Sequence, residues 1–427
     1  MKNTPDKKLL VIGYVWPEPN SSAAGARMLQ LIQCFQLDGY DVTYASPAQA
    51  SEHAIDYQMY HIKTANIELN NTSFDEFLAE LQPNAVMFDR FMMEEQFGWR
   101  VEKTCPDALR ILDTEDLHCL RFARQKLAKG NNKVIRHVDK IHLIDDHAKR
   151  EIAAIYRCDL TVMISRYEMQ LLENEFGVDP DILMYLPFLL KDIQNQYPAF
   201  EERMHFVSIG NFRHEPNWDA VLQLKTEIWP LIKKQLKGTA YAKAQLHVFG
   251  AYPPKKATQL NNEQQGFIVK GWCEDAFKEL RKGRVLLAPL RFGAGLKGKM
   301  LDAAQCGLPA VTTSIGAEGL FEQDTHANKT CDISDDFSEF ATLAAKLYSQ
   351  AEKWQAYQNN CEAFLKNEFA FEPYAQLFIE RLHHIEENLI TYRANNFTGT
   401  MLRHHSMKST QYMAQWIEAK NKHNTKN

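Results

Sequence analysis

A glycine-rich segment in the second half of the chain, GAGLKGKMLD at 293–302, constrains the fold more than any other feature. The apolar run VLLA at 285–288 predicts a buried strand before it, and the residues from Met300 onward predict a helix. Glycines between a strand and a helix allow a tight turn that exposes backbone N–H groups at the positive end of the helix dipole. Because Lys297 and Lys299 add positive charge there, the segment predicts a site for a phosphate or diphosphate.

Two common nucleotide motifs fit this segment to different degrees. Gly293, Gly295 and Gly298 satisfy the G-x-G-x-x-G dinucleotide pattern, and Glu318 follows at a suitable distance for a ribose contact. The P-loop pattern fails, because Met300 stands where a Ser or Thr hydroxyl must hold magnesium. The dinucleotide interpretation therefore stays open, and the P-loop interpretation is weak.

A third interpretation is a nucleotide-sugar site. Lys297 and Lys299 would hold the diphosphate, and Asp302, one turn into the helix, would accept the ribose hydroxyls. A carboxylate suits a sugar diol and would suit a phosphate poorly. We expect both lysines to be exposed in a cleft. A plain strand-to-helix turn is the remaining alternative, but it leaves the two lysines unexplained.

Composition limits the classes of protein that the chain can belong to. With 427 residues, 45% hydrophobic and 24% charged, it has the length of two globular domains. A net charge of -5 argues against nucleic acid as the main partner. No apolar run reaches the roughly 18 residues that span a bilayer, and the polar start predicts no signal peptide. The eight cysteines include no C-x-x-C pair, so we expect a reducing, cytoplasmic location.

Short apolar runs alternate with helical patterns along most of the chain, which predicts α/β domains with parallel sheets covered by helices on both faces. In the first half, Ser73 and Glu76 predict a capping box at the start of a helix. The predicted strands of the first half are 8–14, 41–46, 85–89, 109–114 and 160–164. Those of the second half are 205–209, 245–250, 266–270, 285–288 and 310–313.

A proline-marked segment, 179–198, separates the two halves and predicts an interdomain linker. We therefore expect two Rossmann-like, doubly wound domains. The first covers 1–190 and the second covers 191–369. Helix 370–390 would pack back on the first domain. The polar tail 391–427 would be mobile or weakly docked, with one short helix at 412–417.

A basic run in the first half has two interpretations. It contains no acidic residue between Leu117 and Val138, and a solvated helix face explains it most simply. A surface for an anionic membrane or a lipid-phosphate acceptor is the alternative. The basic residues are Arg121, Arg124, Lys126, Lys129, Lys133 and Arg136. A metal site is rejected for the neighbouring Asp139, His142, Asp145, Asp146 and His147, because their spacing fits salt bridges better than ligand pairs.

With both halves considered, the chain resembles the GT-B glycosyltransferases and is most similar to glycosyltransferase family 4. The resemblance runs from about Lys8 to about Leu389 and is strongest at 293–311, where glycines, lysines and an acidic residue precede Gly-x-Pro and a short strand. The run GAEGL at 316–320 extends it. One departure is Ala294, which stands where the family often has a first acidic residue, while Asp302 fills the second place.

The resemblance implies that the two domains face a cleft, with 1–190 on the acceptor side and 191–369 binding the nucleotide sugar. It also implies further site residues in both halves. Gly25 and Arg27 match the family's first glycine loop, which faces donor phosphates and acceptor. His118 matches the region where the family places a histidine near the transferred sugar, with a core or helix-start histidine as its alternative. Gly210 and Arg213 follow the first strand of the second half, where the family again approaches the phosphates.

The activity implied by the resemblance is a retaining transfer from a nucleoside-diphosphate sugar to a glycan or lipid-linked acceptor, in bacterial surface or extracellular polysaccharide synthesis. Lys297, Lys299 and Arg213 would stabilise the leaving diphosphate without a metal or other cofactor, and His118 would contact the sugar. Two alternatives remain. An NAD(P)-dependent dehydrogenase would use the same glycines, although they follow a late strand of the second half and not a first strand. A non-catalytic binding protein of the same shape would bind the nucleotide sugar only.

Overall fold

The computed structural model of the chain describes residues 7–49, 55–129, 131, 133–320 and 329–424. In the first domain, short apolar runs form a seven-stranded parallel sheet in the order β3-β2-β1-β4-β5-β6-β7. Its strands are β1 (Lys8–Ile12), β2 (Asp41–Ser46), β3 (Ile62–Asn66), β4 (Ala85–Asp89), β5 (Leu109–Asp113), β6 (Leu160–Met163) and β7 (Leu183–Tyr185).

Helices cover both faces of this sheet, because side chains of alternating strand positions are buried on each side. Helix α1 shares one apolar cluster with the sheet, while α2, α3, α4 and α6 contribute to the cluster on the other face. The helices are α1 (Ala23–Leu37), α2 (Ser73–Leu81), α3 (Phe91–Thr104), α4 (His118–Ala128), α5 (Lys140–Leu143), α6 (Asp146–Arg157) and α7 (Arg166–Leu171).

The second domain repeats this plan with a six-stranded parallel sheet in the order β10-β9-β8-β11-β12-β13. Its strands are β8 (Phe206–Ile209), β9 (Leu246–Phe249), β10 (Phe267–Gly271), β11 (Val285–Ala288), β12 (Ala310–Thr312) and β13 (Cys331–Ile333). Its helices are α8 (Glu215–Gln223), α9 (Trp229–Leu236), α10 (Lys255–Thr258), α11 (Ala276–Lys282), α12 (Gly298–Gln305), α13 (Ser314–Ala317), α14 (Phe337–Ser349) and α15 (Ala351–Phe369). The prediction of two doubly wound α/β domains is confirmed.

After the second domain the chain returns to the first. Helix α16 (Phe371–Glu387) packs beside α1, and the ring of Phe378 meets that of Phe35 edge to face at 5.3 Å. Helix α17 (Leu389–Asn395) follows.

The last helix, α18 (Phe397–Asn424), is 28 residues long, whereas the sequence predicted one short helix at 412–417 within a polar tail. Its inner face packs on α3 and α6 of the first domain. Met407 and Ala414 form a buried cluster with Trp99 of α3, and Arg403 donates to the backbone oxygen of Arg157 at 3.1 Å. The apolar residues of this inner face are seven positions apart, so the polar composition between them concealed the helix.

Two local predictions were wrong. Helix α2 begins at Ser73, and that residue does not cap it; the backbone N–H of Ser73 donates to Asn71 instead, at 3.0 Å. The predicted linker 179–198 also contains β7, the edge strand of the first sheet. Within the described residues, no helix combines the length and the apolar character needed to cross a bilayer.

Candidate functional site between the domains

A cavity of about 570 Å³ lies between the two domains, at the carboxyl ends of their central strands. This is where ligands bind in open α/β sheets, because the strand order reverses there and leaves a crevice. The first domain supplies residues after β1, β4 and β5, and the second supplies residues after β8, β9 and β11. Each wall therefore consists of residues in the loops and helix starts that follow these strands.

The glycine segment forms the second-domain wall. Gly293 and Gly295 have φ values of 147° and 66°, which favour glycine because a side chain would be strained there. A Cβ atom on Gly298 would lie only 2.5 Å from the Cβ of Ala23 in the first domain. Glycine is thus required both for the turn and for the close approach of the two domains.

Lys299 and Asp302 line the cavity on the first turns of α12. The Lys299 amine donates to the side-chain oxygen of Asn217 at 2.8 Å. Burial lowers the pKa of Lys299 to about 8, against the opposing effect of Asp302. Burial likewise raises the pKa of Asp302 to about 7, opposed by Lys299. The structure thus places a cation and a carboxylate within one helical turn, as a diphosphate and a ribose would require.

Lys297 also lines the cavity, but it is buried, so the expectation that both lysines are exposed is wrong for this residue. Its amine donates to the backbone oxygens of Ala294 at 3.1 Å and Gly295 at 2.5 Å. Burial lowers its pKa. Lys297 therefore stabilises the glycine turn through these hydrogen bonds, and it also places an amine at the cavity wall.

The first-domain wall carries residues that the sequence analysis missed. Arg121 donates to both carboxylate oxygens of Asp116, at 2.6 and 2.7 Å. Although burial acts to raise it, the pKa of Asp116 is lowered by Arg121 and His118. Arg90 and Glu115 line the same wall with φ values of 70° and 61°, which are strained for non-glycine residues. Such strain is concentrated at functional sites. Their position directly after β4 and β5 was the available sequence signal.

Other predicted donor-binding residues lie at or near the cavity. Gly210 lines it, and a Cβ atom there would lie 2.6 Å from the side chain of Asn217. Gly25 packs against the backbone of Glu18, with only 2.6 Å available to a Cβ atom, and so holds the 19–24 loop that lines the first wall. Arg213 is exposed and stacks on the ring of Tyr252 at 3.6 Å, outside the lining residues.

Three predicted site residues lie away from the cavity surface. Arg27 is fully buried, and its guanidinium uses four of its five N–H donors on Asp113 and on the backbone oxygens of Leu186 and Pro187, so it faces protein and not a phosphate. Glu318 is paired with Arg124. His118 is buried behind Asp116 with its Nε2 3.4 Å from that carboxylate, and burial lowers its pKa to about 3. These placements favour the alternative of a core, helix-start histidine.

Two contacts between the domains fix the glycine segment. Arg124 of α4 donates to both carboxylate oxygens of Glu318, each at 2.7 Å, and to the backbone oxygen of Gly293 at 2.8 Å. Glu168 of α7 accepts from the backbone N–H of Gly295 at 2.5 Å, and burial raises its pKa to about 8. The predicted basic run is therefore not one surface, because Arg124 is an interior interdomain contact and Arg121 belongs to the cavity wall.

Two further observations bear on the alternatives. The glycine segment follows β11, whereas a dinucleotide fingerprint follows the first strand of its domain, here β8. In the part of the chain that the structure describes, no group of three His, Cys, Asp or Glu side chains could hold a metal ion.

Comparisons with known proteins agree with this architecture. Residues 203–350, within the second domain, match the family model described as glycosyl transferases group 1. The structure is similar to HepE of Anabaena in complex with UDP and glucose, with a TM-score of 0.64, 11% identity, and coverage of 88% of this chain and 99% of that chain. Sucrose-phosphate synthase from Thermosynechococcus elongatus gives a TM-score of 0.64 and 13% identity, and covers 89% of this chain and 99% of that chain.

A glycosyltransferase from Rickettsia africae is similar to the same extent, with a TM-score of 0.64, 11% identity, and coverage of 90% and 100% of the two chains. No curated protein sequence matches the chain. The second domain thus matches the glycosyl transferases group 1 model, and the chain as a whole has the GT-B fold of these solved structures.

Proposed function

We propose that this protein transfers a sugar from a nucleoside-diphosphate sugar to a glycan or lipid-linked acceptor, with retention of configuration and without a metal. The observation that carries the proposal is the cavity, in which Lys299, Asp302 and the helix-start N–H groups of α12 face Asp116 and Arg121 across the cleft. The proposed setting is the cytoplasmic stage of bacterial surface or extracellular polysaccharide synthesis.

The second-domain wall suits the nucleoside diphosphate. The amine of Lys299 and the positive end of the α12 dipole would stabilise the negative charge that grows on the leaving diphosphate, which is a large term in catalysis. Asp302 would accept hydrogen bonds from the ribose. UDP occupies the HepE complex, so a UDP-sugar is the first donor to test.

The first-domain wall suits the sugar and the acceptor. The Asp116 carboxylate, oriented by Arg121, would accept hydrogen bonds from sugar hydroxyls, while Arg121 itself offers donors. In the transfer, the bond between the anomeric carbon and the diphosphate oxygen breaks and a bond to the acceptor oxygen forms. The acceptor proton leaves with the diphosphate, whose oxygen acts as the base, so no protein nucleophile is required.

The proposal includes contact with an anionic membrane, but through fewer basic residues than the sequence predicted. Lys126, Lys129, Lys133 and Arg136 are the exposed members of the basic run. They would meet anionic headgroups if the acceptor is lipid-linked, each contributing on the order of 1 kcal/mol.

A donor panel tests the proposed activity. We expect UDP- or GDP-sugars to raise the melting temperature and to be hydrolysed slowly without acceptor, because ligands that bind only the native state stabilise it. Lys299→Ala should weaken both effects, whereas Lys366→Ala, on the exposed face of α15, should preserve them. Stabilisation by NAD(P) alone would favour a dehydrogenase, and stabilisation by nucleotide sugars without turnover of any donor or acceptor would favour a binding protein.

A further inference from the structure

Helix α18 has an inner and an outer face. Packing on the first domain accounts for the residues of the inner face but not for those of the outer face. The inner face packs Met407 and Ala414 against the first domain, and its acidic residue, Glu418, accepts hydrogen bonds from the backbone N–H and hydroxyl of Thr72. A helix that needed only this face would carry polar side chains outward. The outer face of α18 instead carries large apolar and aromatic side chains.

These outer side chains lie along one stripe. Met401, Tyr412 and Trp416 are spaced at multiples of the helical repeat, so they project from the same side of α18. Their exposed fractions are 45%, 65% and 59%. Single exposed apolar residues are common, but an aligned set marks an interaction surface.

The charges around the stripe indicate the kind of partner. Lys408 and Lys420 are exposed on the same face, one turn before Tyr412 and one turn after Trp416, and the Lys420 amine lies 5.3 Å from the centre of the Trp416 ring. From Phe397 to Asn424 the sequence contains one acidic residue, Glu418, and that side chain is buried. A second copy of the helix would bring lysines against lysines with no exposed acid to pair them, whereas anionic lipid headgroups complement them.

The aromatic residue types agree with a lipid surface. Tyr and Trp have an apolar body and a polar tip, which suits the boundary between headgroups and acyl chains. Basic residues next to exposed aromatic side chains are found in helices that lie in the plane of the interface. Helices α3, α4 and α6 all contribute to the same apolar cluster on one face of the first sheet, so α18, packed on α3 and α6, lies on the side that also carries the exposed basic residues of the α4–α5 segment.

We propose that α18 is a membrane-docking helix that lays Met401, Tyr412 and Trp416 into the interface of an anionic membrane, with Lys408 and Lys420 at the headgroups. The inference rests on the proposed function in one respect: docking would bring the transferase close to a lipid-linked acceptor. Stable association generally needs two signals, and here α18 supplies the apolar one and the basic residues of α4–α5 the electrostatic one.

The test is co-sedimentation of the full chain with vesicles of phosphatidylcholine alone or mixed equally with phosphatidylglycerol, at low and high salt. We expect the native protein to bind the mixed vesicles, and the double variant Tyr412→Ser/Trp416→Ser to bind about tenfold or more weakly. The matched control is Met59→Ser/Met204→Ser, which removes exposed apolar side chains elsewhere and should bind as the native protein does. Lys408→Gln/Lys420→Gln should weaken binding at low salt and reduce its salt dependence.

Equal binding by the native protein and the α18 aromatic variant, or none by either, would overturn the assignment. Sedimentation velocity without lipid tests whether a second copy of the chain binds the stripe instead. If the native protein is a dimer and the same variant is a monomer, the stripe is an interface between copies. Donor hydrolysis in detergent-free solution separates this inference from the proposed function, because the α18 variants should keep it unchanged. Absent hydrolysis in the native protein would count against the activity and leave the vesicle result valid.

Discussion

The two walls of the cavity are built in different ways. The second-domain wall includes one continuous segment, 293–302, whose glycines, lysines and Asp302 are neighbours in the chain, and residues that follow β8, β9 and β10 complete it. In the first-domain wall the charged residues Arg90, Glu115, Asp116 and Arg121 follow two different strands, and they meet only beside the 19–30 segment that follows β1. A local segment keeps its chemistry visible in the sequence, whereas a distributed wall exists only once the sheet brings its strand ends together.

The supports of the two walls differ as well. The glycine segment is held from across the cleft, by Glu168 on Gly295 and by Arg124 on Gly293. The first wall is held from within its own domain, where Arg27 connects Asp113 at the end of β5 to the chain at 186–187. Substitution of Arg27 should therefore affect folding, while substitution of Lys299, a partly buried residue that lines the cavity, should affect ligand binding.

Arg27→Ala should produce the largest effect, a loss of about 3–5 kcal/mol in the free energy of unfolding, because it leaves the buried carboxylate of Asp113 without its partner. Urea unfolding measures this loss. Arg213→Ala, which removes an exposed guanidinium, should change stability by no more than about 0.5 kcal/mol. An Arg27 variant of native stability that had lost only donor binding would restore the role implied by the family resemblance.

Lys299→Ala should lower kcat/KM about 10- to 100-fold with little change in stability, since one charge-assisted contact to a diphosphate contributes roughly 1.5–3 kcal/mol. Lys297→Ala should reduce both activity and melting temperature, because its amine also holds the glycine turn. Steady-state kinetics and thermal unfolding of the two variants separate these roles. If both variants kept full activity, the assignment of the diphosphate to this wall would be wrong.

The affinity for UDP should be highest between about pH 7 and about pH 8. Below this window Asp302, whose pKa is raised to about 7, gains a proton and accepts hydrogen bonds from the ribose hydroxyls less well. Above it the free enzyme loses the Lys299 cation, whose pKa is lowered to about 8. Titration calorimetry across pH should show the affinity for UDP falling on both the acidic and the alkaline side.

Asp302→Asn should weaken UDP binding about 2- to 10-fold and lose the fall on the acidic side. Lys299→Arg should lose the fall on the alkaline side. A flat profile in the native protein would separate these groups from the nucleotide.

Chelation should have the smallest effect. If the lysine and the α12 dipole stabilise the diphosphate, transfer should continue unchanged in EDTA. The assay is donor turnover with EDTA, with magnesium and with manganese, using a desalted enzyme. Activity that disappears with EDTA and returns with either ion would contradict the metal-free mechanism.

The glycine segment of the second-domain wall could be predicted from the sequence, because its conformational requirements are local. Gly293 and Gly295 adopt the positive φ values that only glycine tolerates easily, and Lys299 and Asp302 follow at the spacing of one helical turn. The alternation of apolar strands and helical patterns was likewise sufficient for the two doubly wound domains, since buried parallel strands have a recognisable apolar composition.

The tertiary structure alone decided which charged residues face ligand and which face protein. In the sequence, Arg27 and Glu318 look like donor-binding residues and Arg124 like part of a basic surface. Each is instead buried in an ion pair with a residue 86 or 194 positions away. Charge type does not reveal this, because the same guanidinium suits a phosphate or a buried carboxylate equally well. The choice depends on burial, which arises only when distant segments meet.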